Sequence, residues 1–148
     1  MRDIGSIVMH HAAAEWTLEQ IHKHHRDVNG WDGAGYHFVV HLDGVVRLGR
    51  PLGIQGAHAG GANRGSIGVC LSGRFDGDRE PPNPAQWDAA IQLVADLCRQ
   101  YGLDGSAVYG HKEVGTTPTV CPGYDMGRFR REVNVARHRW DAATGGES

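Results

Sequence analysis

Residues 109–122 read Y-G-H-K-E-V-G-T-T-P-T-V-C-P and place one histidine, His111, ten residues ahead of a cysteine, Cys121. A neutral imidazole and a thiolate brought together suit zinc, a borderline-soft ion that takes nitrogen and sulfur ligands. His111 falls at the end of a short predicted strand, Ala107-Val108-Tyr109, and Gly115 and Pro118 interrupt the stretch that follows. That stretch is therefore a shaped turn and not a helix. Two ligands do not make a site. A third donor must come from elsewhere, and an open fourth position would separate a catalytic centre from a structural one.

The chain offers further histidines, ten in all. Ile7-Val8-Met9 reads as a buried strand ending in His10-His11, and a strand end is a rigid mount for a ligand. Successive strand side chains face opposite sides, so only one of His10 and His11 can point into a given site. The residues alone leave open which one, or whether the two are simply a surface pair. His58 stands in the glycine-dense stretch 56–63, where backbone can approach a ligand closely. His22, His24 and His25 lie in a helix predicted over 18–28, opened by the capping box Thr17-Leu18-Glu19-Gln20, and read as solvated surface.

Several elements must position these groups. Residues 36–42 form a strand whose first residue, Tyr36, belongs either to the core or to a cleft; Asp43-Gly44 signals a hairpin and 45–48 the returning strand. Residues 66–73 read as a buried strand with Cys70 inside it. Asn83 and Pro84 start a helix whose stripe is Trp87, Ile91, Val94, Cys98 and Tyr101. Asp125 opens a last helix with the stripe Phe129, Val133, Ala136 and Trp140, and residues 142–148 are expected to fray.

Bulk properties exclude several classes. A net charge of −2 gives no electrostatic footprint for nucleic acid or an anionic membrane. No apolar run approaches the ~20 residues needed to insert across a bilayer, and Met1-Arg2-Asp3 leads straight into a strand, so no secretory signal is expected. Three cysteines, an odd number, argue against a disulfide framework. The 148 residues suit one domain, 1–148, with its core over about 6–141.

Four motifs occur in one order: V-M-H10-H-A-A, G-W-D-G-A-G-Y36-H-F, A-H58-A-G-G-A-N-R-G-S-I-G-V, and G-H111-K-E-V followed by T119-V-C121-P-G. Together they resemble the zinc-dependent N-acetylmuramoyl-L-alanine amidases, the group of phage T7-type lysozymes and peptidoglycan recognition proteins, over roughly residues 6–131. The resemblance implies an α/β fold with a central mixed β-sheet flanked by about three helices. It implies one Zn2+ per chain on His10, His111 and Cys121, Tyr36 and Thr119 as catalytic groups, and His58 in substrate binding. The loop from His111 to Cys121 looks about two residues longer than in the T7-type enzyme, which bears on Thr119. The implied reaction is hydrolysis of the amide between N-acetylmuramic acid and L-alanine in peptidoglycan. The implied setting is a monomeric phage or prophage endolysin, made in the cytoplasm and reaching the wall through a membrane lesion. A peptidoglycan-binding module that does not cut, and a bacterial wall-recycling amidase, are the alternatives. Recognition proteins of the first kind lack the cysteine.

Overall fold

The computed structural model describes residues 2–31 and 33–143, the side chains of 140–143 excepted. Alternation along two buried strands sorts the core into two layers. β1 (Ser6–His11) and β4 (Ser66–Leu71) pair in parallel, from Ser6 opposite Ser66 to His11 opposite Leu71. Neighbours in register share a face. Ile7 and Met9 therefore join Ile67, Val69 and Leu71 on one side, under α2 (Pro84–Tyr101) and α3 (Met126–Ala143). Cys70 faces the other way, with Val39, Leu18 and Ile21 of α1 (Leu18–Asp27).

β2 (Phe38–Val40), β3 (Val46–Leu48) and β5 (Val108–Gly110) complete a sheet of order β3-β2-β4-β1-β5. Only β2 and β3 run antiparallel, so the sheet is mixed and three helices flank it, as the resemblance implies. The strand predicted over 36–42 shrinks to Phe38–Val40. On its near side the Gly68 N–H goes to the His37 ring and not to a ladder carbonyl (3.0 Å). On its far side the hairpin turns at once, with Gly44 at φ +87°. The helix caps follow the sequence signals: Thr17 and Gln20 form the capping box, and Asn83 with Pro84 opens α2. The expected stripe of the last helix appears in Phe129, Val133 and Ala136. The Trp140 side chain and residues 144–148, most of the tail expected to fray, lie outside the described residues.

The histidines do unexpected structural work. Five rings accept a backbone N–H: His11 from Phe75, His22 from Ala34, His25 from Gly35, His37 from Gly68 and His41 from Leu18. His22 and His25 are therefore not the solvated pair the sequence suggested. They hold the loop that leads into Tyr36, at 2.7 and 2.9 Å. A protonated imidazole has no lone pair to offer, so these bonds require the neutral ring. Burial holds His11 and His37 below the ordinary 6.5 and, with His24 beside it, pushes His25 down to about 4.

Groups held below their unfolded value bind fewer protons in the folded state, so stability falls as pH drops from 6.5 through the folded value. For His25 that window runs from 6.5 down to about 4. Urea titration of the metal-free protein is expected to give a lower midpoint at pH 5 than at pH 7.5. Equal midpoints would show that these rings carry no such linkage.

Candidate metal centre

β1 delivers His10, 1% exposed, to the α1 side of the sheet. His11 turns its ring to the opposite side, onto the Phe75 backbone and near the Phe75 ring. The alternation left open by the residues is thus resolved in favour of His10. His111 heads a single 3-10 turn, His111–Glu113, directly after β5, and its ring centre lies 4.7 Å from that of His10. The rest of the loop to Cys121 is irregular, in keeping with its Gly and Pro.

Three devices hold that loop. The Lys112 N–H donates to Cys121 O at 2.7 Å, closing the stretch on itself. Glu113 accepts the Gly110 N–H at 2.7 Å and pairs with Arg130 of α3, also at 2.7 Å. Thr116 N–H donates to Gly60 O at 2.8 Å, which docks the loop on the stretch that carries His58. Gly115 permits that docking: its φ is +83°, and a Cβ there would lie 2.8 Å from Gly60 O.

The result is a convergence of donors. One ligand atom each from His10, His111 and Cys121 lies within 4.8 Å of the others, the set offering two nitrogens and one sulfur. His111 Nε2 is buried and has no hydrogen-bond partner among the described residues. Such a nitrogen is costly unless something else satisfies it. Burial pushes the Cys121 thiol up to about 11, against the pull of the His11 N–H that donates to its sulfur at 3.3 Å. Burial first, and then His58 and His111, hold His10 well below its ordinary value, in the neutral form a ligand needs. The donor set fits zinc: an orphaned imidazole nitrogen, a neutral second imidazole and a buried sulfur that a cation would convert to thiolate.

The other predicted residues take distinct places. The Tyr36 ring stands 5.0 Å from His10 and 5.6 Å from His25. It packs against the layer that holds Cys70, Val39 and Leu18. Thr119 Oγ1 accepts the Cys121 N–H at 3.1 Å, which leaves its own hydrogen free to donate. His58, expected to line a substrate cleft, is 7% exposed and sits behind His10, with Nδ1 2.9 Å from His10 Nε2. The slot is narrow because a Cβ on Gly56 or Gly68 would meet the His58 ring at 2.5 Å. Sequence reasoning missed the parts played by His22, His25, Glu113 and Arg130. Nothing local to His22 and His25 named their backbone partners.

Among proteins of known kind, the profile of the N-acetylmuramoyl-L-alanine amidase family matches residues 1–124. An endolysin of Klebsiella phage KP32 is 33% identical over 146 residues, covering 93% of each chain. The solved structure of the endolysin amidase LysCS from Clostridium intestinale superposes with a TM-score of 0.81 at 31% identity, covering 90% of this chain and 85% of that one. Drosophila PGRP-LB gives a TM-score of 0.72 at 28% identity, covering 90% and 81%. A mixed sheet whose strand ends and adjoining loop bring a His-His-Cys set together thus belongs to the class of peptidoglycan amidases and their recognition-protein kin. The chain is a member of the N-acetylmuramoyl-L-alanine amidase family, and its activity is that of a peptidoglycan amidase.

The docking of the two loops carries its own test. Gly115→Ala forces a side chain into a left-handed conformation and against the Gly60 carbonyl, and is expected to cost about 1–2 kcal/mol or more. Chemical denaturation measures it, and an unchanged midpoint would contradict the contact.

Proposed function

We propose that this chain is a zinc-dependent amidase that cuts the bond between the lactyl group of N-acetylmuramic acid and L-alanine, acting as a phage or prophage endolysin. The observation that carries the zinc reading is the convergence of His10, His111 and Cys121, with His111 Nε2 left without any other partner among the described residues. When bound, zinc supplies the Lewis acidity that polarises an unactivated amide and makes water nucleophilic near neutral pH.

The protein's own groups do the rest. Tyr36 is proposed to donate its O–H to the oxyanion that develops on the scissile carbonyl. Burial raises the Tyr36 hydroxyl well above its ordinary value, so it stays protonated and able to donate through the working pH range. Thr119 is proposed as a second donor, because its oxygen is fixed by the Cys121 N–H while its hydrogen is uncommitted. His22 and His25 keep the approach to Tyr36 in place.

A recognition module that binds muramyl peptide without cutting it is the second reading, favoured by the likeness to the PGRP-LCa and PGRP-LCx ectodomain complex solved with tracheal cytotoxin bound. The buried, N–H-supported sulfur of Cys121 favours the enzyme, since binding alone has no need of it. As an endolysin the chain would act as a monomer of one domain over 1–148. It would be made in the cytoplasm and meet the wall after a membrane lesion. Among the described residues no helix is long and apolar enough to cross a membrane.

Elemental analysis is expected to find close to one zinc per chain, and less than half an equivalent would sink the zinc reading. Cys121→Ser is expected to abolish release of L-alanine amino termini from purified wall, because a neutral hydroxyl is a poor replacement for thiolate. Fully metallated wild type that releases none would hand the case to the recognition reading. Tyr36→Phe keeps the ring against His10, so zinc content and melting temperature should hold while turnover falls on the order of 10²–10³-fold. A rate within about twofold of wild type would remove the Tyr36 hydroxyl from the reaction.

A further inference from the structure

Behind the metal centre runs a line of hydrogen bonds that the reaction itself does not use. His10 Nε2 meets His58 Nδ1 at 2.9 Å, and His58 Nε2 meets Ser66 Oγ at 3.1 Å. Ser66 Oγ lies 2.7 Å from Ala62 O and 3.2 Å from Asn63 O. His10, His58 and Ser66 are all buried.

The protons in this line can be placed by elimination. Both carbonyls can only accept, so the single hydroxyl hydrogen of Ser66 goes to Ala62 O, the nearer one. If it went to His58 instead, the serine oxygen would face two carbonyl oxygens with lone pairs alone. Ser66 Oγ must therefore accept from His58, and Nε2 carries the His58 proton. A neutral imidazole has one N–H, so His58 Nδ1 is an acceptor. That in turn puts the His10 proton on Nε2. The remaining lone pair of His10 is on Nδ1, the atom that stands 3.7 Å from Cys121 Sγ.

We propose that His58 and Ser66 are positioning residues that fix His10 in its Nε2–H tautomer, leaving Nδ1 open toward Cys121 and the metal. The backbone carbonyl of Ala62 sets the direction of the whole line. The surroundings of His58 fit a ring held in one pose. The His58 and Ala59 N–H groups both donate to Asn63 Oδ1 at 2.8 Å. Gly56 and Gly68 leave only a ring's width between them, and His37 packs edge-on at 5.9 Å. Metal-binding histidines need their second nitrogen held in this way, and loss of the outer partner typically weakens metal binding about 10–100-fold. The metal half of this inference rests on the zinc reading above, whereas the tautomer half does not.

Two measurements test it. Long-range proton–nitrogen correlation spectra of the metal-free wild type are expected to show both His10 and His58 as neutral Nε2–H tautomers. A His10 ring protonated on Nδ1 would overturn the inference whether or not zinc binds. Zinc affinity is then measured by chelator competition for wild type and Ser66→Ala, with melting temperature as a check on folding. Ser66→Ala is expected to bind zinc about tenfold more weakly or worse, and to show His10 divided between two tautomers. Zinc affinity within twofold of wild type in a folded Ser66→Ala protein would refute the positioning role. Wild type that takes up no zinc would refute the zinc reading and the metal half with it, while the tautomer assignment would stand or fall on the spectra.

Discussion

A backbone contact of 2.8 Å, from the Thr116 N–H to Gly60 O, joins two loops that have almost no regular structure of their own. One carries His58 and the other runs between His111 and Cys121. The sheet fixes His10 at the end of a buried strand, but the partners of His10 come from these loops, 48 to 111 residues away along the chain. Loops held by so few side chains must be tied through their backbones. The glycines at 61 and 115 allow the approach: a Cβ on the first would meet Thr116 Cγ2 at 2.7 Å, and on the second the Gly60 carbonyl at 2.8 Å. Glu113 and Arg130 then brace the same loop against α3. Without this docking His111 and Cys121 would be ordered singly, and the cost of bringing both to His10 would fall on whatever cation the three were to bind.

Neutral imidazole is the second common requirement. A ring that accepts a backbone N–H and a ring that binds a cation both need an unprotonated nitrogen. The fold uses the first for architecture, in His11, His22, His25, His37 and His41, and holds out the second in His10 and His111. Burial favours the neutral form in both groups, in His11, His25 and His37 as in His10 and His111, since it disfavours the charged ring. Acid should therefore loosen scaffold and site together, the scaffold through the approach to Tyr36 and the site through its ligands.

Much of this was legible in the sequence because it depends on near neighbours. The Thr17 capping box, the Asn83-Pro84 helix start, the Asp43-Gly44 hairpin and the buried runs at 7–9 and 66–73 are local signals, and each appears close to where it was read, the last as a strand over 66–71. The order of four motifs was enough to suggest the family and the mixed sheet. What stayed hidden depends on contacts between distant residues. Nothing near His25 in the chain announces that its ring will take the Gly35 N–H, and nothing near Ser66 announces His58. A hydroxyl or an imidazole has many possible partners at longer range, and no periodicity selects among them. Tyr36 shows the same gap, since the residues left it to the core or to a cleft, and the layer it packs against, with Cys70, Val39 and Leu18, comes from distant parts of the chain.

The neighbour of His10 shows how one strand end can serve both faces. The His11 ring points away from the metal centre and accepts the Phe75 N–H, on the side of α2 and α3. Its backbone N–H points the other way and donates to Cys121 Sγ at 3.3 Å. Burial by itself would keep that thiol protonated, with its titration pushed up to about 11. The N–H works against burial, because a hydrogen bond to the charged form favours it. Burial remains the larger influence, so a cation bound beside the sulfur would be what converts it to thiolate. Position 11 therefore contributes to the site through its backbone and to the core through its side chain. A strand residue can do both at once because its amide and its ring leave the chain in different directions.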